Sequence, residues 1–263
     1  MIPLRDQEAI RQRLARDLTS RVRIDYFMQK PSTVYVSGRF ESPYMEDIKA
    51  LLRELAALNN RISLTVHDLP SEPDAAKELG VDKAPAIVVR GVANRAMRYF
   101  GIPAGQMFVT FIDAVVAAAQ TTVEVTATTA KQLKRLKTDV RLQIFVTPLC
   151  EHSPRYVRTA VRLTLASPKI KLDVVEAAEF PQLITRFAVR ATPTTVINDT
   201  LVLPGALDEA TLVENAMLVA EGKQPSGLTR GGPMTPIDTH THSQAEDEPA
   251  LRPVGSSGLV IPR

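Results

Sequence analysis

The 263-residue chain has a single cysteine, Cys150, in the run Phe145-Val146-Thr147-Pro148-Leu149-Cys150-Glu151-His152-Ser153-Pro154. An apolar stretch suited to a strand, Leu142 to Val146, precedes it, and helical spacing from Pro154 to Leu165 follows. A thiol at such a junction faces unpaired helix N–H groups and the positive end of the helix dipole, which favour thiolate over thiol. His152 would add positive charge when protonated, and Glu151 would oppose it. Ser153 offers a hydroxyl that can donate a hydrogen bond to a thiolate but cannot attack a disulfide. A Cys150 thiolate can attack a disulfide sulfur to give a mixed disulfide. With no second cysteine, release then requires an outside thiol such as glutathione, so no cofactor is expected beyond glutathione as a co-substrate. The competing reading of any lone cysteine is a buried, inert one.

The elements that must hold this site recur twice. In the first half, Val34-Tyr35-Val36 reads as a strand and Pro43 to Leu58 as a helix. Ile62 to Val66 alternates as a strand, Pro73 to Leu79 is a short helix, and Ala86 to Val89 is a strand after Ala84-Pro85. The second half gives strand Leu142–Val146, helix Pro154–Leu165, strand Ile170–Val174, short helix Pro181–Phe187, and strand Thr194–Ile197 after Thr192-Pro193. Ile62 and Ile170, Val81 and Val189, and Pro85 and Pro193 are each 108 residues apart, which sets Ser42 against Cys150 and Met45 against Ser153. Such an offset indicates a duplicated domain of about a hundred residues. Strand–helix–strand units of this kind imply right-handed βαβ crossovers and parallel pairing.

Gln106–Ala119 and Leu207–Glu221 are expected to close the two halves as helices, with a strand at Leu201–Leu203. Leu4, Ile10, Leu14 and Leu18 suit an amphipathic helix at the N-terminus, and Ala130–Lys137 a helix with a solvated basic face. The expected boundaries are 1–122 for a domain without cysteine, 123–222 for a domain with the Cys-Glu-His-Ser motif, and 223–263 for a disordered tail rich in Pro, Gly, Ser and Thr.

The totals exclude several classes. A net charge of +3, from 32 basic and 29 acidic residues, describes a mixed surface. No basic-aromatic motif points to specific nucleic-acid binding. No apolar run approaches the roughly 20 residues of a membrane span, and the charged N-terminus does not read as a secretory signal. One cysteine excludes an intrachain disulfide, and a cytoplasmic setting is expected. His240 and His242 alone are too few for a metal site, so none is expected. His67, at a strand end, reads as structural.

Residues 145–154, the stretch Arg98-Tyr99-Phe100-Gly101-Ile102-Pro103-Ala104-Gly105, and the prolines after Ala84 and Thr192 carry a resemblance over roughly residues 5–222. The chain resembles the two-domain, glutaredoxin-like protein disulfide oxidoreductases. That resemblance implies an α/β fold of two tandem thioredoxin-like domains, each a central mixed β-sheet flanked by helices. It also implies cis peptide bonds before Pro85 and Pro193, the latter exposing the Thr192 backbone to substrate beside Cys150. Two departures stand out: the first Cys-x-x-Cys of the family is Ser42-Pro43-Tyr44-Met45 here, and the second keeps its attacking cysteine but has Ser153 for the resolving one. Thiol–disulfide exchange by Cys150 alone, as in a monothiol glutaredoxin, is one expected function, with Ser153 and His152 assisting and protein or glutathione disulfides as partners. A redox-inactive adaptor is the second, and a Cys150-linked homodimer a third possibility.

Overall fold

The computed structural model describes residues 2–29, 42–92 and 95–223. The expected strand Val34–Val36, the tail beyond residue 223, and His240 and His242 lie outside them. Among the described residues the first half has β1 (Val22–Met28), α2 (Met45–Ala57), β2 (Ile62–Asp68), α3 (Pro73–Leu79), β3 (Ala86–Arg90), β4 (Ala96–Phe100) and α4 (Gln106–Ala118). The second half runs α5 (Ala127–Lys134), β5 (Val140–Val146), α6 (Ser153–Ala166), β6 (Ile170–Glu176), a 3-10 turn (Ala177–Glu179), α7 (Pro181–Arg186), β7 (Thr194–Ile197), β8 (Leu201–Pro204) and α8 (Glu209–Ala220). The chain opens with α1 (Leu4–Asp17). Its apolar stripe starts at Ile10 rather than Leu4, which is 84% exposed, while Leu14 and Leu18 are buried.

A buried aspartate sits in the middle of β1. Asp25 stands between Ile24 and Tyr26, and it is accommodated because Arg90 of β3 donates to its Oδ2 from two nitrogens, while His67 Nε2 of β2 lies 3.1 Å from Oδ1. Such a charge is tolerated in a core only when paired and hydrogen-bonded. His67 also stacks on Phe27 and reaches Glu72, so its role is structural, as its place in the strand suggested.

The four strands of each half take the same order, β2-β1-β3-β4 and β6-β5-β7-β8, with a parallel pair followed by two antiparallel ones. Each half is thioredoxin-like. The two sheets join edge to edge through parallel pairing of β4 with β6, giving one eight-stranded sheet. At the seam Asp173 of β6 is fully buried and accepts from both Arg98 of β4 and Arg141 of β5. Helix α4 of the first half packs on α6 of the second, and Asp113 of α4 pairs with Arg13 of α1 and Arg158 of α6. Apolar side chains fill both faces of the sheet, Leu52, Ile87, Ile144 and Val161 on one and Phe27, Phe100, Phe145 and Phe187 on the other. Full burial of each contributes about 1.5–3 kcal/mol. Among the described residues no helix is long and apolar enough to cross a membrane.

Candidate functional site

β5 ends at Val146 and α6 begins at Ser153, so six residues carry the chain from the sheet to the helix. Cys150 is half-buried in that link, its N–H donating to Thr147 O at 3.2 Å. The Cys150 thiol donates to the carbonyl oxygen of Thr192 at 3.2 Å, and the Thr147 and Thr192 hydroxyls are 3.1 Å apart. The Thr192-Pro193 peptide bond is cis, and Pro193 O accepts from Gly205 N of the loop after β8. The structure thus brings Cys150, Ser153, Thr192 and Pro193 together.

Ser153 is fully buried, and its Oγ has no hydrogen-bond partner among the described residues while Cys150 is protonated. Burial pushes the Cys150 thiol up. The Ser153 hydroxyl and the N–H groups of Ser153 and His152 pull it down further, leaving it below its ordinary value. The Thr192 side chain adds a smaller downward pull. His152 acts here through its backbone: its exposed imidazole lies 3.7 Å from Glu151 Oε1.

Two surface features adjoin the thiol. Leu149 is 93% exposed, an apolar side chain displayed directly before the cysteine. An open groove of about 630 Å³ runs from Glu151 and His152 past Arg155 and Tyr156 to Leu207 and Asp208. Neither feature was singled out from the sequence, because exposure and concavity depend on which face α6 turns to solvent.

The corresponding place in the first half is built differently. Pro85 also follows a cis bond, and its carbonyl accepts from Gly101 N. Met45, which matches Ser153 at the helix start, is buried, with its Sδ accepting from Gln29 N. Ser42, the counterpart of Cys150, is buried and donates to Glu179 Oε2 of the second half while accepting from Tyr44 N. Glu179 had no local signal; 137 residues separate it from Ser42.

A tandem thioredoxin fold with one thiol site defines the class of protein. Residues 140–217 match the family model described as a thioredoxin domain. A thioredoxin of Methanocaldococcus jannaschii is 29% identical over 76 residues, which are 28% of this chain and 89% of that protein. Among solved structures, a protein disulfide oxidoreductase from Aeropyrum pernix aligns with a TM-score of 0.73 at 23% identity, over 88% of this chain and 97% of that one. The NTD_N/C domain of alkylhydroperoxide reductase AhpF from Enterococcus faecalis gives 0.71 at 20% identity, over 82% of this chain and all of that one. The fold is therefore that of these proteins, and in this chain the repeat-related positions carry Ser42 and Met45 in the first half and Cys150 and Ser153 in the second.

Proposed function

We propose that this chain catalyses thiol–disulfide exchange through Cys150 alone. The observation that carries this reading is a half-buried thiol three residues before α6, drawn below its ordinary pKa by Ser153 and the N–H groups of Ser153 and His152. The Cys150 thiolate attacks the glutathionyl sulfur of a mixed disulfide RSSG. A Cys150–SG bond forms, the R–SG bond breaks, and RS− leaves with the electron pair. A glutathione thiolate then attacks Cys150–SG, giving oxidised glutathione and restoring the Cys150 thiolate. Each turnover consumes one glutathione thiol, and the glutathionyl group of the substrate forms the other half of the product, so RSSG and GSH give RSH and GSSG. Ser153 stabilises the thiolate as attacker and as leaving group but cannot open the mixed disulfide. The relatives' names, thioredoxin and protein disulfide oxidoreductase, support a redox role of this class.

The test is reduction of a glutathionylated peptide by wild type and Cys150→Ala in the presence of glutathione. Turnover that disappears in the variant is expected; equal rates would remove the proposal. A second reading, capture of protein partners without turnover, is favoured by Leu149 displayed beside a thiol that has no resolving partner. Under that reading a Cys150 mixed disulfide with a protein would persist in millimolar glutathione.

A further inference from the structure

We propose that Glu179 is a positioning residue for Cys150, tying the first half's Ser42 and the Ile102 N–H to a corner that sets the loop carrying the thiol. This rests on the reading of Cys150 as the reacting group. The connection can be followed bond by bond. Glu179 accepts from Ser42 through one carboxyl oxygen and from Ile102 N, at 2.6 Å, through the other. Three residues after Ile102 the chain reaches Gly105, and Gln106 N donates to Pro148 O at 3.1 Å. Pro148 lies two residues before Cys150.

Both ends of this corner are set by close approach. Gly101 has φ +99°, and a Cβ there would stand 2.6 Å from Glu176 Cβ and 2.7 Å from Glu179 Oε1. Gly105 has φ +55°, and its Cβ would stand 2.8 Å from Pro148 O. The corner is thus pressed onto the glutamate at one end and onto the thiol loop at the other, with backbone that side chains rarely adopt. Glu179 is itself held: its N–H donates to Glu176 Oε2 at 2.8 Å, at the end of β6 where Glu176 pairs with Val146. Its surroundings are acidic or phenolic, with Glu176 from β6, Tyr99 from β4 and Tyr26 from β1 facing it, so burial raises its pKa despite the Ser42 and Ile102 donors. A carboxyl kept in such a place at that cost is retained for the donors it orients.

The experiment follows iodoacetamide modification of Cys150 from pH 5 to 10 in the full chain, for wild type, Glu179→Ala, Glu179→Gln and Gln106→Pro. Gln106→Pro deletes only the last link, at the first position of α4 where proline is well tolerated, and so decides the matter should Glu179→Ala fail to fold. The expected result is a rate at pH 7 about tenfold lower in Glu179→Ala and Gln106→Pro, short of the roughly 100-fold that a 1 Å misplacement can cost, with the midpoint moved up. Glu179→Gln keeps an acceptor for Ile102 and stays within about threefold of wild type. Folded Ala and Pro variants with the wild-type profile would overturn the inference, as would a Gln variant as slow as the Ala variant. An ordinary thiol profile in the wild type would instead overturn the reading of Cys150.

Discussion

The two halves share a strand order, a helix that starts 108 residues apart and a cis-proline at the same offset, yet only one of them offers a thiol. In the second half six residues, 147–152, separate β5 from α6; in the first sixteen residues of sequence, 29–44, separate β1 from α2. At the end of the short link, Cys150 is half-buried and faces Thr192 and Ser153. At the end of the long one, Ser42 is buried against Glu179 of the other half. The same fold position carries a half-buried thiol in one copy and a tie between the halves in the other. What separates them is less the serine itself than the partner it meets: a hydroxyl donating to a buried carboxyl belongs to the structure.

The sharpest way to break this contrast is to move the thiol. Ser42→Cys in a Cys150→Ala background is expected to show no exchange with a glutathionylated peptide, and to unfold about 1–3 kcal/mol more easily than Cys150→Ala because the Glu179 carboxyl loses its hydroxyl donor. Exchange at even a tenth of the wild-type rate would show that fold position alone suffices. Next in size is Ser153→Cys, which places a resolving thiol at the start of α6: peptide disulfide reduction in a single turnover should then proceed without added glutathione, whereas wild type stops at the mixed disulfide. Ser153→Ala removes a hydroxyl that has no other partner among the described residues. It should slow alkylation at pH 7 by about threefold or more, since a hydrogen bond to a charged group is worth about 1.5–3 kcal/mol.

The tie between the halves has its own pH signature. Burial raises both Glu176 and Glu179 above the ordinary 4.5 in the folded chain. A carboxyl raised on folding contributes stability that is fully present below its unfolded pKa and is lost as pH rises through the folded value. Urea midpoints are therefore expected to fall as pH rises above about 4.5. Glu176→Gln should flatten that fall and gain about 1 kcal/mol at pH 8, because Glu176 Oε1 is buried without a partner among the described residues. A midpoint that rises with pH over this range would contradict the assignment. The smallest expected effect is that of Leu149→Ser. Stability should stay within about 0.5 kcal/mol, as for an exposed side chain, while exchange with a protein disulfide weakens and exchange with a small glutathione disulfide does not.

Much of this was legible in the sequence because local rules act locally. Helices α3 and α4, strands β2 and β7, and the thiol at a strand–helix junction all follow from periodicity and from proline and glycine placement. The first strand was not legible. The apolar run pointed to Val34–Val36, which lies outside the described residues, whereas β1 is Val22–Met28, ten residues earlier than the 108-residue offset from β5 would place it. Asp25 concealed it further, since its partners Arg90 and His67 lie 65 and 42 residues away. Nor could the pairing of β4 with β6, or the meeting of Ser42 with Glu179, be read from spacing, because both belong to the docking of one half on the other. His152 shows the same limit at close range: its position was evident, but not that its N–H rather than its imidazole adjoins the thiol.

The account turns on Cys150 being poised as a thiolate, and the rate of its alkylation against pH in the wild-type chain tests that directly. The predicted profile has its midpoint below that of the same cysteine in the unfolded chain and moves up in Ser153→Ala. A midpoint at or above that value, unmoved by Ser153→Ala, would contradict it.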